Sequence, residues 1–307
     1  MEHIYDMIII GGGPGGYTAA LYATRSGLDV LLLERLSAGG QLALTHQIDN
    51  YPGYDAGIDG YALAEKMQAG AHRFGAKTKY TEVTGVKLDS QTKEVYTRDG
   101  TFLAKTVVIS TGANPKELSI PREQEYVGRG VHYCAACDGM FYRNKTVVVV
   151  GGGNTAAADA LILSRICKQV ILVHRRDSLR ATKIYHEPLL QAGNVSFVWN
   201  STPTQLILGE KLQGLLVTDV YSGEQQAIQC DGIFVSIGRK PATDLVAGQL
   251  VLDDNGYVMA DESTRTNLPG VFAVGDVRTK ALRQVVTAVA DGAVASHFAE
   301  EYLTQTH

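Results

Sequence analysis

The strongest constraint on the fold of this chain is an internal repeat, in which one pattern occurs twice with an offset of 140 residues. Residues 7–20 have the sequence MIIIGGGPGGYTAA, and residues 147–160 have the sequence VVVVGGGNTAAADA. Each copy starts with a short apolar run without alternation, which is typical of a strand buried on both faces. The run then breaks into glycines and continues as an alanine-rich helical pattern. Such a repeat predicts two copies of one supersecondary unit.

Each copy continues into a second strand, so both copies form strand–turn–helix–strand units. In the first copy we predict the helix over residues 16–26, followed by Gly27 as a left-handed stop, and the second strand over residues 29–34. In the second copy we predict the helix over residues 155–166 and the strand over residues 169–173. Strands that alternate with helices in this way predict an α/β fold with two Rossmann-like dinucleotide-binding domains.

A β-rich stretch with hairpin turn signals follows each unit. Asp99-Gly100 marks the turn in the first half, and residues 221–224 mark it in the second half. Each stretch ends in a strand that runs into a glycine, Gly112 in one half and Gly238 in the other. The two halves therefore agree over more than the glycine-rich loops.

The order of the segments predicts that the second unit is inserted into the first. Residues 257–277 are predicted to return to strands, and residues 284–303 to form a closing helix. We therefore expect residues 1–114 and 243–307 to form one domain, and residues 115–242 to form the other. At roughly 150 residues per domain, a chain of 307 residues is long enough for two.

Composition excludes several classes of function. The 28 basic and 32 acidic residues give a net charge of −4, so the chain offers no cationic field to nucleic acid or anionic lipid. No apolar run approaches the ~20 residues of a membrane span, and Glu2 and Asp6 precede the first strand without the pattern of a signal peptide. Four cysteines are too few for a disulfide scaffold, which favours a cytoplasmic protein that uses a pair of them in redox or metal chemistry.

The first glycine loop has the features of a dinucleotide-binding turn. Gly11, Gly13 and Gly16 follow a buried strand and open a helix, where bare backbone amides can approach a pyrophosphate. Glu34 stands at the end of the second strand, where a carboxylate can accept hydrogen bonds from both hydroxyls of an adenosine ribose. This loop therefore predicts an adenine dinucleotide with an unmodified ribose.

The second loop differs at the position that contacts the ribose. The residue equivalent to Glu34 is His174, and Arg175, Arg176 and Arg180 follow it. Guanidinium groups bind a 2′-phosphate through charge-assisted, often bidentate hydrogen bonds, whereas a carboxylate there would repel it. The arginines favour an NADP-type nucleotide over the alternative, a solvated basic turn.

Two adenine-dinucleotide sites in one chain suggest one resident and one visiting nucleotide. Hydride chemistry needs an acceptor for the nicotinamide, and a flavin is the obvious one. Asp276 follows an apolar strand in the sequence VFAVGDV and suits a carboxylate that accepts a hydrogen bond from a ribityl hydroxyl. The alternative for Asp276 is a simple Gly-Asp turn.

A pair of cysteines carries the predicted reaction. Cys134 and Cys137 are three residues apart, which places both sulfurs on one face of a helical turn, close enough to bridge. A zinc site would need two more ligands, and His132 is the only histidine nearby, so we expect no metal. A reversible disulfide, with Asp138 as the acid or base for a leaving thiolate, is favoured over an inert buried pair. The two remaining cysteines are expected to be packing residues.

Over essentially its whole length, the chain resembles the low-molecular-weight thioredoxin reductases of bacteria. The resemblance rests on GGGPGGYTAALYATRSGL from residue 11, GGQL from residue 39, NYPG from residue 50, CAACDG from residue 134, GGGNTA from residue 151, HRRDSLR from residue 174, VFAVGDV from residue 271 and RQV from residue 283. It implies an enzyme that passes electrons from NADPH, through FAD and a Cys134–Cys137 disulfide, to thioredoxin. It also implies a homodimer in which Cys137 faces the flavin and Cys134 attacks the thioredoxin disulfide.

The motifs and the resemblance together assign residues to the two nucleotides. Those expected to bind FAD are Gly11, Gly13, Pro14, Gly16, Glu34, Gln41, Asn50, Thr111, Gly112, Asp276, Arg283, Gln284 and Val285. Those expected to bind NADPH are Gly151, Gly153, Asn154, Thr155, His174, Arg175, Arg176, Arg180 and Gly238. The inserted domain would bind NADPH and carry the cysteines, and the domain around it would bind FAD. Two departures from the family pattern, Ala135-Ala136 between the cysteines and Asp159 where a glutamate is common, remove no reacting atom.

Three other functions compete with the reductase. A dithiol oxidase on the same scaffold would not need the three arginines. The flavoprotein component of a peroxide-reducing system usually carries a thioredoxin-like domain ahead of its flavin domain, whereas this chain begins at the first strand. A nucleotide-binding redox sensor would use the cysteines as a switch without turnover. We expect the thioredoxin reductase.

Overall fold

The computed structural model describes residues 3–45 and 48–305, and the chain divides into two compact units. Unit 1 comprises Met1–Asn114 and Lys240–His307, and unit 2 comprises Pro115–Arg239. The chain therefore leaves unit 1 once and returns to it once.

Strands and helices follow one another in the order expected of α/β units. The first segment contains β1 (Ile4–Ile10), α1 (Pro14–Arg25), β2 (Val30–Glu34), α2 (Gly60–Arg73), β3 (Lys77–Tyr80), β4 (Val83–Lys87), β5 (Lys93–Thr97), β6 (Gly100–Ile109) and β7 (Ala113–Pro115). The middle segment contains β8 (Val131–His132), α3 (Ala135–Asp138), β9 (Thr146–Val150), α4 (Asn154–Ser164), β10 (Gln169–Val173), α5 (His186–Gln191), β11 (Val195–Val198), β12 (Ser201–Leu208), β13 (Leu212–Asp219), β14 (Gln225–Gln229), β15 (Gly232–Val235) and β16 (Arg239–Pro241). The last segment contains β17 (Val271–Ala273) and α6 (Val285–Gln305). Short 3-10 helices occupy Gly40–Leu44, Glu123–Tyr126, Gly139–Tyr142, Lys183–Tyr185, Asp244–Val246 and Gly275–Val277.

Unit 1 is built on a seven-stranded sheet in the order β3-β2-β1-β6-β5-β4, with β17 also paired to β6. The strands β3, β2, β1, β6 and β17 are parallel, and β4 and β5 add antiparallel pairs. Met7 and Ile9 of β1 face the core shared with α1 and α6, whereas Ile8 and Ile10 face the opposite core. The prediction of a strand buried on both faces is therefore confirmed.

Unit 2 repeats the parallel core on a smaller scale. Its five-stranded sheet has the order β11-β10-β9-β15-β8, and all of its pairs are parallel. The helix α4 packs against one face, and residues of the antiparallel sheet β12-β13-β14 share the core on the other face. The predicted strand over residues 169–173 has the bounds of β10.

Three details differ from the prediction. Both loop helices begin earlier than expected, α1 at Pro14 and α4 at Asn154, because an extended glycine directly before each of them already acts as the cap. Within residues 257–277, all of which the structure describes, β17 is the one strand. Other residues of this range pair only in isolated bridges, Val258 with Leu252 and with Arg278, and Arg265 with Phe272.

Candidate functional site

The turn after β1 brings bare backbone to the N-terminus of α1. Gly11 has a φ of +106°, and a Cβ there would collide with the backbone of Ser110 at the end of β6. A Cβ on Gly16 would lie against the Gly11 carbonyl oxygen, so helix and strand can pack this closely only around glycine. Gly13 is the extended residue before Pro14, and a Cβ on it would meet open space. This opening at a helix N-terminus forms a cradle that suits an anion such as a pyrophosphate.

Glu34 lies at the rim of this cradle, at the end of β2. Its Oε2 accepts a hydrogen bond from the Gly12 amide at 2.7 Å, and its Oε1 accepts one from the Leu36 amide at 3.1 Å. The half-buried carboxylate is thereby fixed in place and keeps lone pairs that could accept from ribose hydroxyls. The structure thus brings Glu34 and the glycine loop together.

The parallel strands of unit 1 end at the edge of the sheet where β1 enters its loop. Thr111 follows β6, and Asp276 follows β17. The strand β6 pairs in parallel with β1, and β17 pairs in parallel with β6. Ligands of such sheets bind at this carboxyl edge. Thr111 Oγ1 donates to the Ala242 carbonyl at 2.7 Å, and Gly112 has a φ of +73°. The predicted residues Thr111, Gly112 and Asp276 therefore share one edge with the cradle.

Asn50, Gln284 and Val285 lie together at the start of α6. Asn50 Nδ2 donates to Gln284 Oε1 at 3.0 Å, although 234 residues separate them, and Val285 is the first residue of α6. Gln41 lies on the 3-10 helix Gly40–Leu44, and its side-chain amide donates to the Ala113 carbonyl.

Arg283 is held by its neighbours in the same region. Its guanidinium stacks on the ring of Tyr257, with Cζ 3.9 Å from the ring centroid, and donates to the carbonyls of Asp276 at 3.4 Å and Arg278 at 3.1 Å. The side chain therefore braces the turn that carries Asp276.

A buried ion cluster beneath the same turn was not predicted from the sequence. Asp291 Oδ2 accepts from the Gly275 amide at 2.8 Å and from Lys280 Nζ at 2.7 Å, and it lies 3.3 Å from Arg278 Nε. The side chains of all three charged residues are less than a tenth exposed. The sequence feature that could have indicated this cluster is the single aspartate within the apolar run VVTAVADGAVAS.

The loop after β9 repeats the backbone of the first loop. Gly151 has a φ of +148°, and a Cβ there would collide with the backbone of Ser236 at the end of β15. Gly153 is the extended residue before α4, and a Cβ on it would meet open space. Gly152 differs from its counterpart, because the ring of His174 lies so close that a Cβ would overlap it.

The first turn of α4 contains the remaining predicted loop residues. Asn154 Oδ1 accepts from the Thr182 amide at 2.8 Å, which ties the start of α4 to the segment after the arginines. Thr155 is exposed. Gly238, with a φ of +109°, follows β15 at the same carboxyl edge.

His174 and three arginines close the second loop where Glu34 closes the first. His174 is buried, and its Nε2 has no hydrogen-bond partner in the part of the chain that the structure describes. Burial, reinforced by the charges of Arg180, Arg175 and Arg176, holds the pKa of His174 below its usual range. The three arginines are exposed, and among residues 3–45 and 48–305 no carboxylate forms an ion pair with them. An unneutralised cationic rim of this kind suits a phosphate.

The predicted disulfide is present. Cys134 and Cys137 are bonded, with their Cα atoms 5.3 Å apart, and Cys134 is the residue that caps α3. Cys134 Sγ also accepts a hydrogen bond from the Cys137 amide at 3.2 Å. Both cysteines are half-buried, and Ala136 between them is exposed. The bridge is therefore within reach of a second reactant.

The other two cysteines lie in apolar cores. Burial raises the pKa of Cys167 to about 11 and that of Cys230 to about 12, so both stay as thiols at neutral pH. Within the described ranges, no group of three or more potential ligands is arranged for a metal ion. The helices in those ranges include none with the length and apolar character of a membrane span.

Asp138 has a partner that the sequence did not predict. His132 Nδ1 lies 2.9 Å from Asp138 Oδ2, and His132 Nε2 lies 2.7 Å from the hydroxyl of Tyr142. His132 is 4% exposed, and its ring stacks on Phe234 with 5.3 Å between centroids. From the sequence, His132 could be considered only as a metal ligand. Its hydrogen bonds to Asp138 and Tyr142 depend on β8 lying beside the 3-10 helix Gly139–Tyr142, which the spacing does not reveal.

Comparison with known proteins gives one consistent family. The model of the pyridine nucleotide-disulphide oxidoreductase family matches residues 5–292. The thioredoxin reductase of Listeria monocytogenes is 43% identical over 305 residues, which cover 99% of this chain and 95% of that protein. The thioredoxin reductase of Streptomyces clavuligerus is 45% identical over 306 residues, with the same coverage. The crystal structure of thioredoxin reductase from Streptococcus pyogenes superimposes with a TM-score of 0.91 at 41% identity, covering 99% of this chain and 100% of that one.

Proposed function

Because this chain belongs to the thioredoxin reductases of the pyridine nucleotide-disulphide oxidoreductase family, we propose a role in that reaction for each of its functional segments. The enzyme is a flavoprotein that passes electrons from NADPH, through FAD and the Cys134–Cys137 disulfide, to oxidised thioredoxin. The shared identity of its relatives favours this activity over a dithiol oxidase, a peroxide-system flavoprotein or a redox sensor.

We assign FAD to unit 1, and its residues fit that nucleotide. The open cradle at Gly13 can receive the pyrophosphate, and Glu34 is already fixed where it can accept from the ribose. Thr111 and Asp276 lie at the same carboxyl edge, where Asp276 would accept from the ribityl chain. When bound, FAD supplies a carrier that can take a hydride from a nicotinamide and give two electrons to a disulfide.

We assign NADPH to unit 2. The cradle at Gly153 is open, and the exposed Arg175, Arg176 and Arg180 lie beside it without carboxylate partners in the described part of the chain. Their charges would hold the 2′-phosphate, while His174 Nε2, which is buried and has no hydrogen-bond partner among residues 3–45 and 48–305, can pair with the nucleotide. Unit 2 would then both bind the reductant and carry the cysteines.

The cysteine pair carries out the exchange with thioredoxin. Two electrons open the Cys134–Cys137 bond, and the Cys137 amide that donates to Cys134 Sγ would stabilise a thiolate there. We propose that Cys134 attacks one sulfur of the thioredoxin disulfide and that Asp138 gives a proton to the sulfur that leaves. Cys137 then attacks Cys134, restores the intramolecular bond and releases the second thioredoxin sulfur.

We further propose that the enzyme is a cytoplasmic homodimer. The family resemblance supports the dimer, and two buried thiols alongside a single exchangeable disulfide suit a reducing compartment. Sedimentation equilibrium of the purified protein tests the dimer directly. A mass of one chain, 33.0 kDa plus flavin, at micromolar concentration would contradict it.

The observation that carries the proposed function is the half-buried disulfide between Cys134 and Cys137. Changing both to serine should abolish thioredoxin reduction, measured by NADPH consumption, while NADPH still bleaches the flavin. The matched control replaces the other two cysteines, Cys167 and Cys230, with alanine and should keep most of the activity. Thioredoxin reduction by the double-serine variant would refute the role of the pair.

The nucleotide assignment is tested by anaerobic titration of the flavin with NADPH and with NADH. NADPH should bleach it at far lower concentration, and replacing Arg175 and Arg176 with alanine should remove most of that difference. An equal response of the unmodified enzyme to both nucleotides would contradict the phosphate site.

A further inference from the structure

A continuous hydrogen-bonded chain runs from Asp138 through His132 to Tyr142. Whether Asp138 is ionised or carries its proton on Oδ1, its Oδ2 can only accept, so His132 Nδ1, at 2.9 Å from Oδ2, carries a proton. In a neutral ring, Nε2 then has a free lone pair, and it accepts from the Tyr142 hydroxyl at 2.7 Å. The partners at both ends thus fix one tautomer of His132.

The ring itself has little freedom to turn. It stacks on Phe234 at 5.3 Å and meets the edge of Tyr142 at 5.2 Å, and Phe234 and Tyr142 are packed edge-to-face at 5.5 Å. His132 and Tyr142 are buried, whereas the side chain of Asp138 keeps 17% of its surface exposed. The chain of contacts therefore begins in the core of unit 2 and ends on a carboxylate next to Cys137.

We propose that His132 is the positioning residue for Asp138: its Nδ1–H occupies Oδ2, so that the other carboxylate oxygen, Oδ1, is the atom that carries the exchangeable proton toward the cysteine pair. The inference rests on the acid–base role proposed above for Asp138. A carboxyl held by one oxygen presents the other in a fixed direction, which an unrestrained side chain at a turn would not do.

The proton balance of the exchange shows where this matters. The thioredoxin disulfide gains two electrons and two protons, and the Cys134–Cys137 dithiol loses two electrons and two protons as its disulfide reforms. One proton must therefore reach the first departing thioredoxin sulfur while Cys134 is bound to its partner sulfur. The Oδ1–H of Asp138 supplies that proton, and Asp138 regains one from the Cys137 thiol when that sulfur attacks. The proton that Cys134 loses on forming its thiolate passes to solvent, and the second departing thioredoxin sulfur takes up one proton from solvent, so the two sides balance. His132 keeps its own proton throughout.

The other ionisable groups around this chain are few. Burial raises the pKa of Tyr142 well above its usual range, with Asp138, Cys230, Asp231 and Cys167 adding to the effect, so its hydroxyl remains a donor at neutral pH. Lys145 Nζ lies over the face of the Tyr142 ring at 5.4 Å from its centroid. Cys134 and Cys137, which precede Asp138 at the start of α3, are joined in the disulfide.

A double-mutant cycle separates this role from general packing. His132→Phe keeps the ring volume between Tyr142 and Phe234 but removes the donor to Asp138. We expect it to lower kcat for thioredoxin reduction about tenfold, and Asp138→Asn alone to lower it by about 100-fold. In the Asp138→Asn background, His132→Phe should change kcat less than twofold, because its effect passes through the carboxyl.

Two further variants identify the atom involved. His132→Asn places an amide N–H near the position of Nδ1 and should recover at least half of the kcat lost in His132→Phe. Tyr142→Phe leaves the Nδ1–H donor intact and should lower kcat less than threefold. The high-pH limb of the rate profile should move to higher pH in His132→Phe, because the charged carboxylate loses a stabilising donor, and should return in His132→Asn.

The outcomes are distinguishable. Full activity of Asp138→Asn would remove the proposed acid–base role itself. A strong effect of Asp138→Asn, together with unchanged kcat and pH profile in His132→Phe, would overturn the positioning role alone. Additive losses in the double variant, or a His132→Asn variant as slow as His132→Phe, would show that the ring serves only packing. Should His132→Phe fail to fold, His132→Leu takes its place in the same cycle, and an unchanged kcat and pH profile in it would overturn the positioning role.

Discussion

The two glycine loops share one backbone and differ in what closes them. In both, a left-handed first glycine passes a serine at the end of a neighbouring parallel strand, Ser110 for Gly11 and Ser236 for Gly151. Glu34 closes the first loop with a carboxylate bonded to a loop amide, whereas a buried histidine followed by arginines closes the second. The glycines therefore make room for a pyrophosphate, and the residue after the second strand selects the ribose.

The helices after the two loops differ in a second way. Ala19 on α1 is fully buried beneath α6. The two helices can approach this closely because Gly292 of α6 has no side chain, and a Cβ there would collide with the α1 backbone. The equivalent residue on α4 is Asp159, which accepts a hydrogen bond from Ser236 Oγ at 2.5 Å. At this helix position, unit 1 therefore has an apolar packing contact, and unit 2 has a hydrogen bond.

The largest expected effect is the loss of bound FAD, and it comes from giving the first loop the alanine that the second loop already has. Gly16→Ala would place a methyl group on the Gly11 carbonyl oxygen, a backbone atom that cannot rotate away. We expect the protein to purify with less than a tenth of the normal FAD and to lose about 3 kcal/mol of unfolding free energy. Flavin absorbance per chain and chemical denaturation measure the two effects.

The control for this substitution is the reverse change in the second loop. Ala156→Gly should keep FAD and cost only about 1 kcal/mol, the usual difference between alanine and glycine in a helix. A fully yellow Gly16→Ala variant would show that the first loop tolerates the geometry of the second.

The next effect concerns the ion cluster that unit 1 buries beneath its Asp276 turn. Asp291→Asn leaves Lys280 and Arg278 buried without their anion, and we expect a loss of about 3–5 kcal/mol of unfolding free energy. Glu301→Gln on the same helix removes an exposed pair with Arg265 and should cost less than about 1 kcal/mol. Similar midpoints for the two variants in urea would contradict a special role of the cluster.

Local backbone chemistry explains why much of this molecule could be predicted from its sequence. Gly27 has the left-handed φ of +84° expected after a helix, and the strand over residues 169–173 needed only its apolar run to be located. The Cys134–Cys137 bond likewise depends on two residues of one helical turn. In each case the interacting atoms are neighbours in the sequence.

The features that could not be predicted depend on which elements lie side by side. Asp291 reaches Gly275 because α6 packs beside the end of β17, and His132 reaches Tyr142 because β8 joins the edge of the unit 2 sheet. Likewise, β17 is a strand because Val271–Ala273 lie beside β6, whereas Val258 meets its partners only in isolated bridges.

The third prediction exchanges the residues that close the two loops. His174→Glu gives the second loop the carboxylate of the first, and its charge would face the 2′-phosphate of NADPH. We expect the concentration of NADPH that half-reduces the flavin to rise about 100-fold, equivalent to ~2.7 kcal/mol, with little change for NADH. Anaerobic stopped-flow titration with both nucleotides measures this.

His174→Gln separates the loss of the ring from the gain of charge. It should raise the NADPH requirement less than tenfold, because the arginines remain. If His174→Gln and His174→Glu weaken NADPH binding equally, the residue at this position does not select the ribose.

The smallest effect tests the polar contact that distinguishes α4 from α1. Burial raises the pKa of Asp159, despite the hydrogen bond from Ser236, so the folded chain binds its proton more tightly than the unfolded chain. The stability from this proton is complete below the unfolded pKa of about 4 and is lost as the pH rises through the folded value. Asp159→Asn, which cannot ionise, should therefore exceed the original protein by about 1 kcal/mol at pH 7 and lose that advantage near pH 4.

Urea unfolding at intervals from pH 4 to pH 7 measures this difference, and Asp219 provides a control of opposite sign. Amides of Ser222 and Tyr221 donate to Asp219 and hold its pKa below the usual range, so Asp219→Asn should be the less stable protein at pH 7. Burial dominates at Asp159 and donated hydrogen bonds dominate at Asp219. The unfolding free energy at pH 7 should therefore rise in Asp159→Asn and fall in Asp219→Asn. A loss at pH 7 in both variants would mean that the Ser236 contact outweighs burial, and that unit 2 gains stability where we infer a cost.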